Sequence, residues 1–140
     1  MSEEPTQALA VLEMALAKVV LSGAYVHGEG TVWSVVGQGR RKMPARHDLD
    51  ASDLYMGSGG KARVLPPEAP LWDFEGRQRR AIKGLEAALA GCRQAGLLLV
   101  GTGIGLLAVE QAKLASEDPG VLLEVLQDEA VGVEDSGAWR

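Results

Sequence analysis

The sequence predicts an α+β fold in which a small antiparallel sheet is packed by three or four helices. Apolar residues recur at three- and four-residue steps between Asp73 and Gly96, as expected for an amphipathic helix. Residues 24–36 carry β-branched and aromatic residues around a Gly-Glu-Gly turn, which is typical of a β-hairpin. Gly96–Val100 is an apolar run of strand length, and Lys61–Leu65 is a further candidate strand. Helices and strands that follow one another in this way favour the α+β class.

The central helix has the longest periodic pattern of the chain. Its predicted core face consists of Phe74, Gln78, Ala81, Ile82, Leu85, Leu89 and Cys92. Asp73 is expected to cap its N-terminus, and Gly96 stands where a glycine ends many helices. Positive charge near a helix N-terminus opposes the helix dipole, so the fold itself does not call for the basic residues in its first turns.

The first helix is predicted over residues 6–21 and is ended by Gly23. Only Glu13 and Lys18 are charged within it, so most of its circumference is apolar or small. Two explanations remain open: the rest of the domain surrounds this helix, or the helix contributes to a subunit interface.

The second half is predicted to contain two more helices. The GTGIG turn is expected to lead into a helix that runs to about Ala115, and Asp118 with Pro119 is expected to start a last helix over residues 121–129. Residues 1–130 are then a single α+β domain. Residues 131–140 are an acidic, loosely held tail in which Trp139 is the candidate anchor.

The composition is that of a globular cytoplasmic protein. Hydrophobic residues make up 46% of the 140 residues and charged residues 24%. No basic segment followed by an apolar one marks a signal peptide, and the longest nearly apolar run is too short to span a bilayer, so no membrane partner is expected. The single cysteine, Cys92, excludes an internal disulfide and is expected to be a buried, inert thiol.

Positive charge is concentrated in the middle of a chain whose net charge is −5. Eleven of the 14 basic residues lie between Arg40 and Arg93. Such asymmetry bears on partners and not on the fold. The candidates for contact with a partner or with phosphate are Arg40, Arg41, Lys42, Arg46, Arg77, Arg79, Arg80 and Lys83. The ordinary alternative is that these residues form a solvated surface.

Three short patterns suggest ligand sites, but each fails on inspection. A calcium loop starting at Asp48 lacks the required glycine and glutamate, and GSGGK lacks the first glycine and the hydroxyl residue of a phosphate loop. Gly103, Gly105 and Ala108 match a dinucleotide fingerprint, but too few residues follow for the rest of a cofactor fold. We therefore expect no metal, no cofactor and no catalytic residues, and the protein is not predicted to be an enzyme.

Part of the chain resembles an uncharacterised domain family of phages and mobile elements, often encoded near MoxR-type AAA+ ATPases and von Willebrand A-like proteins. The resemblance covers residues 31–105. Its matching residues are Trp33, Arg40, Arg41, Lys42, Lys61, Phe74, Arg77, Arg80 and Ala81. It implies an accessory role and no known chemistry.

Two functional hypotheses follow. The first is a non-catalytic interaction or structural protein that assembles with itself, as a homo-oligomer, or docks on a larger complex. The alternative is a nucleic-acid-binding accessory protein that uses the basic clusters at 40–46 and 77–83. Such phosphate contacts would give affinity with little sequence preference and a steep dependence on salt.

Overall fold

The computed structural model describes residues 3–29, 32–49, 64–102, 105–115 and 128–140. In chain order its elements are α1 (Glu3–Leu21), β1 (Ala24–Glu29), β2 (Val32–Gln38), β3 (Pro44–Asp48), a 3-10 turn (Leu71–Asp73), α2 (Gly76–Gln94), β4 (Leu97–Thr102), β5 (Gly105–Glu110), α3 (Gln111–Ala115) and β6 (Val131–Val133).

The α+β class is confirmed, but the strands form two sheets where one was expected. Each sheet has three antiparallel strands, ordered β1-β2-β3 and β4-β5-β6. Of the strand predicted at 61–65, residues 61–63 lie outside the described residues, and Val64 and Leu65 are not in a strand.

The helix predicted directly after the GTGIG turn is wrong for residues 106–110, which belong to β5 (Gly105–Glu110). This strand pairs with β4 from Leu97↔Glu110 to Thr102↔Gly105. The run Leu106–Val109 is apolar throughout, so periodicity alone could not distinguish a buried strand from a buried helix. Only Gln111–Ala115 is helical here, and residues 121–127 of the predicted last helix lie outside the described part of the chain.

The described residues form two halves, each a long helix followed by three antiparallel strands, with the short α3 between β5 and β6 in the second half. Both α1 and α2 have 19 residues, and a two-residue turn joins each to a six-residue strand. The second residue of that turn is a glycine with positive φ, 84° at Gly23 and 76° at Gly96, a conformation that glycine adopts without strain. The helix, the turn and the first two strands therefore form a structural repeat at an offset of 73 residues (from Gly23 to Gly96), whereas the third strands, β3 and β6, do not stand at that offset.

The sequence carries the same repeat at this offset. Identical residues stand at the pairs 8/81, 12/85, 13/86, 15/88, 16/89, 17/90, 23/96, 28/101, 30/103, 36/109 and 38/111. Leu12, Ala15 and Leu16 are buried, as are their counterparts in α2. The pairs are spread over helix, turn and strand, so the likeness extends beyond one helical pattern.

The two long helices pack side by side and antiparallel. Near one end the Cys92 thiol donates a hydrogen bond to the carbonyl oxygen of Ala8 at 3.6 Å, and near the other Gln78 Nε2 donates to the carbonyl of Ser22 at 3.3 Å. Every residue of the predicted core face is buried, including Phe74 just before α2, which confirms the expected stripe. Antiparallel packing of equivalent helices relates α1 and α2 by an approximate two-fold axis.

The N-terminal cap of α2 differs from the prediction. Asp73 belongs to the 3-10 turn, and the cap is Glu75. Its side chain accepts from the backbone N–H of Gln78, and the Gln78 side chain accepts from the Glu75 N–H at 3.1 Å in return. This reciprocal capping box satisfies two N–H groups that the helix leaves unpaired.

The C-terminal residues are not the loosely held tail that was expected. Val131–Val133 pairs with β5, and residues 138–140 run parallel to β1. Val26 N–H donates to the Ala138 carbonyl at 2.7 Å, and Arg140 N–H donates back to the Val26 carbonyl at 2.8 Å. An acidic composition gave no sign of these pairings, because backbone groups make them.

Trp139 is the anchor that the sequence suggested. Its indole packs against Trp33 with ring centroids 4.9 Å apart, and its Nε1 donates to the Thr102 carbonyl at 2.8 Å. A Cβ atom at Gly28 in β1, or at its repeat counterpart Gly101 in β4, would overlap this indole. The ring therefore occupies the space that two equivalent glycines leave open, and it ties one sheet to the other.

We expect Gly101→Ala to lower the free energy of unfolding by about 1–3 kcal/mol, because the added methyl group meets a rigid ring in a packed site. Gly84→Ala in α2 is the matched control. A Cβ there has no neighbour within 4 Å, so the better helix propensity of alanine should raise stability by roughly 0.5–1 kcal/mol. Denaturant titration of both variants measures the two effects, and equal stabilities would contradict the described position of Trp139.

Candidate interaction surfaces

The outer face of α1 carries a ridge of large apolar side chains, which we call the α1 ridge and define as Val11, Met14 and Leu21. Their exposed fractions are 54%, 62% and 66%. They lie on the side of the helix opposite the buried Leu12, Leu16 and Val19. The sequence left two explanations for this apolar helix: the domain surrounds it, or it contributes to a subunit interface. The described residues do not surround it, because the ridge faces outward.

The corresponding face of α2 is small and recessed. At the repeat offset, Val11 corresponds to Gly84, Met14 to Ala87 and Lys18 to Gly91. Gly84 and Ala87 are exposed and Gly91 is half-buried, and a Cβ at either glycine would have no neighbour within 4 Å. We call Gly84, Ala87 and Gly91 the α2 groove. The buried faces of the two helices are thus alike while their exposed faces differ.

The first basic cluster lies on the turn between β2 and β3. Arg40, Arg41 and Lys42 are all exposed, and Lys42 has a φ of 58°. The turn is closed by Gly39 N–H, which donates to the Met43 carbonyl at 3.0 Å, and by Gln38 Nε2, which donates to the Lys42 carbonyl at 2.8 Å.

The second basic cluster lies on the first turns of α2, close to the first. The Arg40 N–H donates to the Asp73 carbonyl at 2.7 Å, three residues before α2 begins. On the helix Arg77, Arg80 and Lys83 are exposed, and Arg79 is half-buried. The structure therefore brings seven of the eight candidate residues to one end of the molecule.

That end also contains acidic residues. A cleft of about 330 Å³ is lined by Arg40 and Arg41 together with Glu68 and Asp73. The Glu75 cap, two residues after Asp73, is also exposed. This end of the molecule therefore carries charges of both signs, although the arginine and lysine side chains outnumber the carboxylates.

Arg46, the eighth candidate, does not join the others. It lies on β3, where Nη1 forms an ion pair with Asp48 Oδ1 at 2.7 Å and Nε donates to the Pro66 carbonyl at 3.0 Å. These bonds use its guanidinium to hold the segment after residue 63 against the first sheet. Its role in the described structure is structural.

A row of His27, Ser34 and Asp48 crosses the first sheet, a combination that the sequence analysis did not single out. The three stand in register on β1, β2 and β3. Ser34 Oγ donates to Asp48 Oδ1 at 2.6 Å, and His27 Nδ1 donates to the Arg140 carbonyl. In a catalytic triad the histidine lies between serine and acid. Here serine lies between, so the row ties strands together and is not arranged as a triad.

Among the described residues, no cluster of three or more histidine, cysteine, aspartate or glutamate side chains could hold a metal ion. The His27 Nε2 atom is buried without a hydrogen-bond partner, as is Trp33 Nε1. Neither belongs to a cluster of three or more metal-ligating side chains within this part of the chain.

Cys92 is buried between the two long helices. Burial raises the pKa of its thiol from 9.0 to about 11, because a thiolate is poorly solvated there. The neutral thiol is a weak nucleophile, which agrees with the expected inert role.

The Cys92 shift predicts how stability depends on pH. The folded state keeps the thiol proton to a higher pH than the unfolded chain does, so this group lowers the free energy of unfolding as pH rises from about 9 towards 11, and has no effect below. Cys92→Ala should have a shallower loss of stability over that range.

In the native state at pH 8 a thiol reagent should react far more slowly than in denaturant. Equal rates in both states would contradict the burial.

No helix among the described residues is long and apolar enough to cross a lipid bilayer. Comparison with known proteins yields no relative: no family model, no curated protein and no solved structure matches this chain. Its function has to be inferred from its own surfaces.

Proposed function

We propose that this protein is a non-catalytic interaction protein that assembles with itself or docks on a larger complex. The observation that carries the proposal is the α1 ridge. Single exposed apolar residues are common on protein surfaces, whereas several aligned on one helix are typical of an interaction site.

The sequence of the repeat supports the same proposal. Where α1 and α2 pack into the core, positions 12/85, 15/88 and 16/89 are identical. Where they face outward, α1 has Val11 and Met14 while α2 has Gly84 and Ala87. Packing therefore does not demand large apolar residues on the outer face, and a contact with another molecule gives a reason for them. The accessory role implied by the resemblance to a phage domain family is compatible with this function and stays a prediction.

Met14→Lys tests the proposal. A charge in the middle of the α1 ridge should weaken association by at least tenfold, because the ammonium group would lose its hydration in an apolar contact. Size-exclusion chromatography with light scattering measures self-association, and affinity capture from the native cell measures docking on another partner.

Met43→Lys is the matched control. Met43 is 65% exposed, close to the 62% of Met14, but it lies on the turn between β2 and β3. It should leave the association unchanged. A protein that stays monomeric at high concentration and captures no partner would overturn the proposal, as would equal effects of the two substitutions.

A second candidate function is nucleic-acid binding by the clusters at 40–42 and 77–83. It is favoured by the hydrogen bond from Arg40 to Asp73, because this bond holds one cluster beside the start of the helix that carries the other. The net charge of −5 and the neighbouring carboxylates oppose it. Arg46 is engaged with Asp48 and is left out of this proposal.

Replacing Arg40, Arg41 and Lys42 together by alanine tests the second function. If each side chain contacts one phosphate of duplex DNA, the slope of log affinity against log salt should become shallower by about 2.7. Lys18→Ala, an exposed cation outside both clusters, should have little effect. Absence of binding to single- or double-stranded DNA or RNA at about 50 mM salt, where phosphate contacts are strong, would reject this candidate.

A further inference from the structure

We infer that the occupant of the exposed helix face is a second copy of this chain, with Val11 and Met14 of each α1 ridge packed into the α2 groove of the other copy. This inference rests on the proposed function and names its partner. It also fixes which helix meets which.

The ridge and the groove have complementary shapes. Val11 and Met14 project from α1, and the α2 groove has no side chain larger than the methyl group of Ala87. Small residues allow two helices to approach closely, towards the lower end of the usual 8–10 Å between axes. A large apolar side chain of one helix can then fill the space above a glycine of the other.

The register of the two helices within one copy determines what would meet between copies. Ala8 bonds to Cys92, and Ser22 bonds to Gln78. In both pairs the residue numbers add to 100, so residue i of α1 lies beside residue 100 − i of α2.

Consider two copies whose α1–α2 layers face each other. A two-fold rotation about an axis that is parallel to the helices and lies midway between these layers places α1 of one copy over α2 of the other. Residue i of the incoming α1 then lies at the level of residue 100 − i. Met14 comes to the level of residue 86, between Gly84 and Ala87. Val11 comes to the level of Leu89, between Ala87 and Gly91 on the outer surface. The same rotation places Val11 and Met14 of the second copy in the other groove, so one operation satisfies both contacts, while Leu21 comes to the level of Arg79, beyond the groove.

This self-complementarity is the reason to choose a second copy over an unrelated partner. An isologous dimer requires that one surface carry both members of each contact. The repeat supplies both on adjacent antiparallel helices.

The available area is sufficient for a modest dimer. A helix of 19 residues is about 28 Å long and two helices are about 20 Å wide, which gives a footprint of roughly 560 Å² on each copy. Counted over both copies, this is at the low end for specific complexes.

The rotation also brings Lys18 to the level of Ile82, beside the exposed Lys83, so higher salt should tighten the dimer by screening their repulsion. Binding to nucleic acid would show the opposite dependence on salt.

Disulfide cross-linking tests the pairing directly. A mixture of Met14→Cys and Ala87→Cys variants should form a covalent dimer under mild oxidation, whereas each variant alone should form no more than the unsubstituted protein, whose only cysteine is buried. A covalent dimer from Met14→Cys alone would show that α1 meets α1, and would overturn this arrangement while leaving the interaction function in place. A protein that is monomeric by light scattering at all concentrations would overturn both the pairing and self-association.

Filling the groove provides an independent test that does not depend on oxidation. Gly84→Leu should fold at least as stably as the unsubstituted protein, because an added Cβ meets no neighbour and leucine favours a helix. It should nevertheless weaken dimerisation by at least tenfold, as measured by sedimentation equilibrium. A dimer of unchanged affinity in this variant would exclude the α2 groove from the interface.

Discussion

The packing of Trp139 between two equivalent glycines is the contact on which the assembly of the halves depends. Each half has a helix and a three-stranded sheet, and each sheet presents a glycine at the same place in its first strand, Gly28 and Gly101. One indole fills both spaces, contacts Trp33 and donates a hydrogen bond to Thr102. Fully burying an aromatic ring of this size contributes several kcal/mol, a large part of the stability of a small domain.

The glutamates of the repeat reinforce this connection. Glu13 and Glu86 occupy the same place in their helices. Glu13 accepts a hydrogen bond from the Glu134 N–H, just after β6, and Glu86 lies 3.8 Å from His47 on β3. Thus α1 contacts the residue that follows β6 of the second half, and α2 contacts β3 of the first half. Each long helix therefore contacts the sheet of the other half, and these contacts hold the two halves together.

The sequence predicted α1, the first hairpin, α2 and β4 because each has a periodicity or a turn signal that is local. It could not predict β5, because Leu106–Val109 is apolar at every position. It also misplaced the C-terminal residues, whose order comes from backbone bonds to β1 that no side-chain pattern records. Of the candidate site, the basic residues were found from charge alone, but the engagement of Arg46 with Asp48 depends on the alignment of β2 and β3. An exposed interface on α1 was expected only as one of two explanations for its apolar composition. An internal comparison at an offset of 73 residues would have revealed the repeat and with it the contrast between Val11 and Gly84.

The position of residues 138–140 has a consequence for the order in which the molecule can be made. They follow every other described residue in the chain, yet they lie beside β1, near the beginning. During synthesis the first half therefore emerges with one edge of β1 unpaired and with the space beside Gly28 empty. Contacts between such distant parts of a chain form slowly, because a long loop must close first. Until Trp139 arrives, the nascent protein exposes Trp33 and an open strand edge, which are features that chaperones and aggregating chains both recognise.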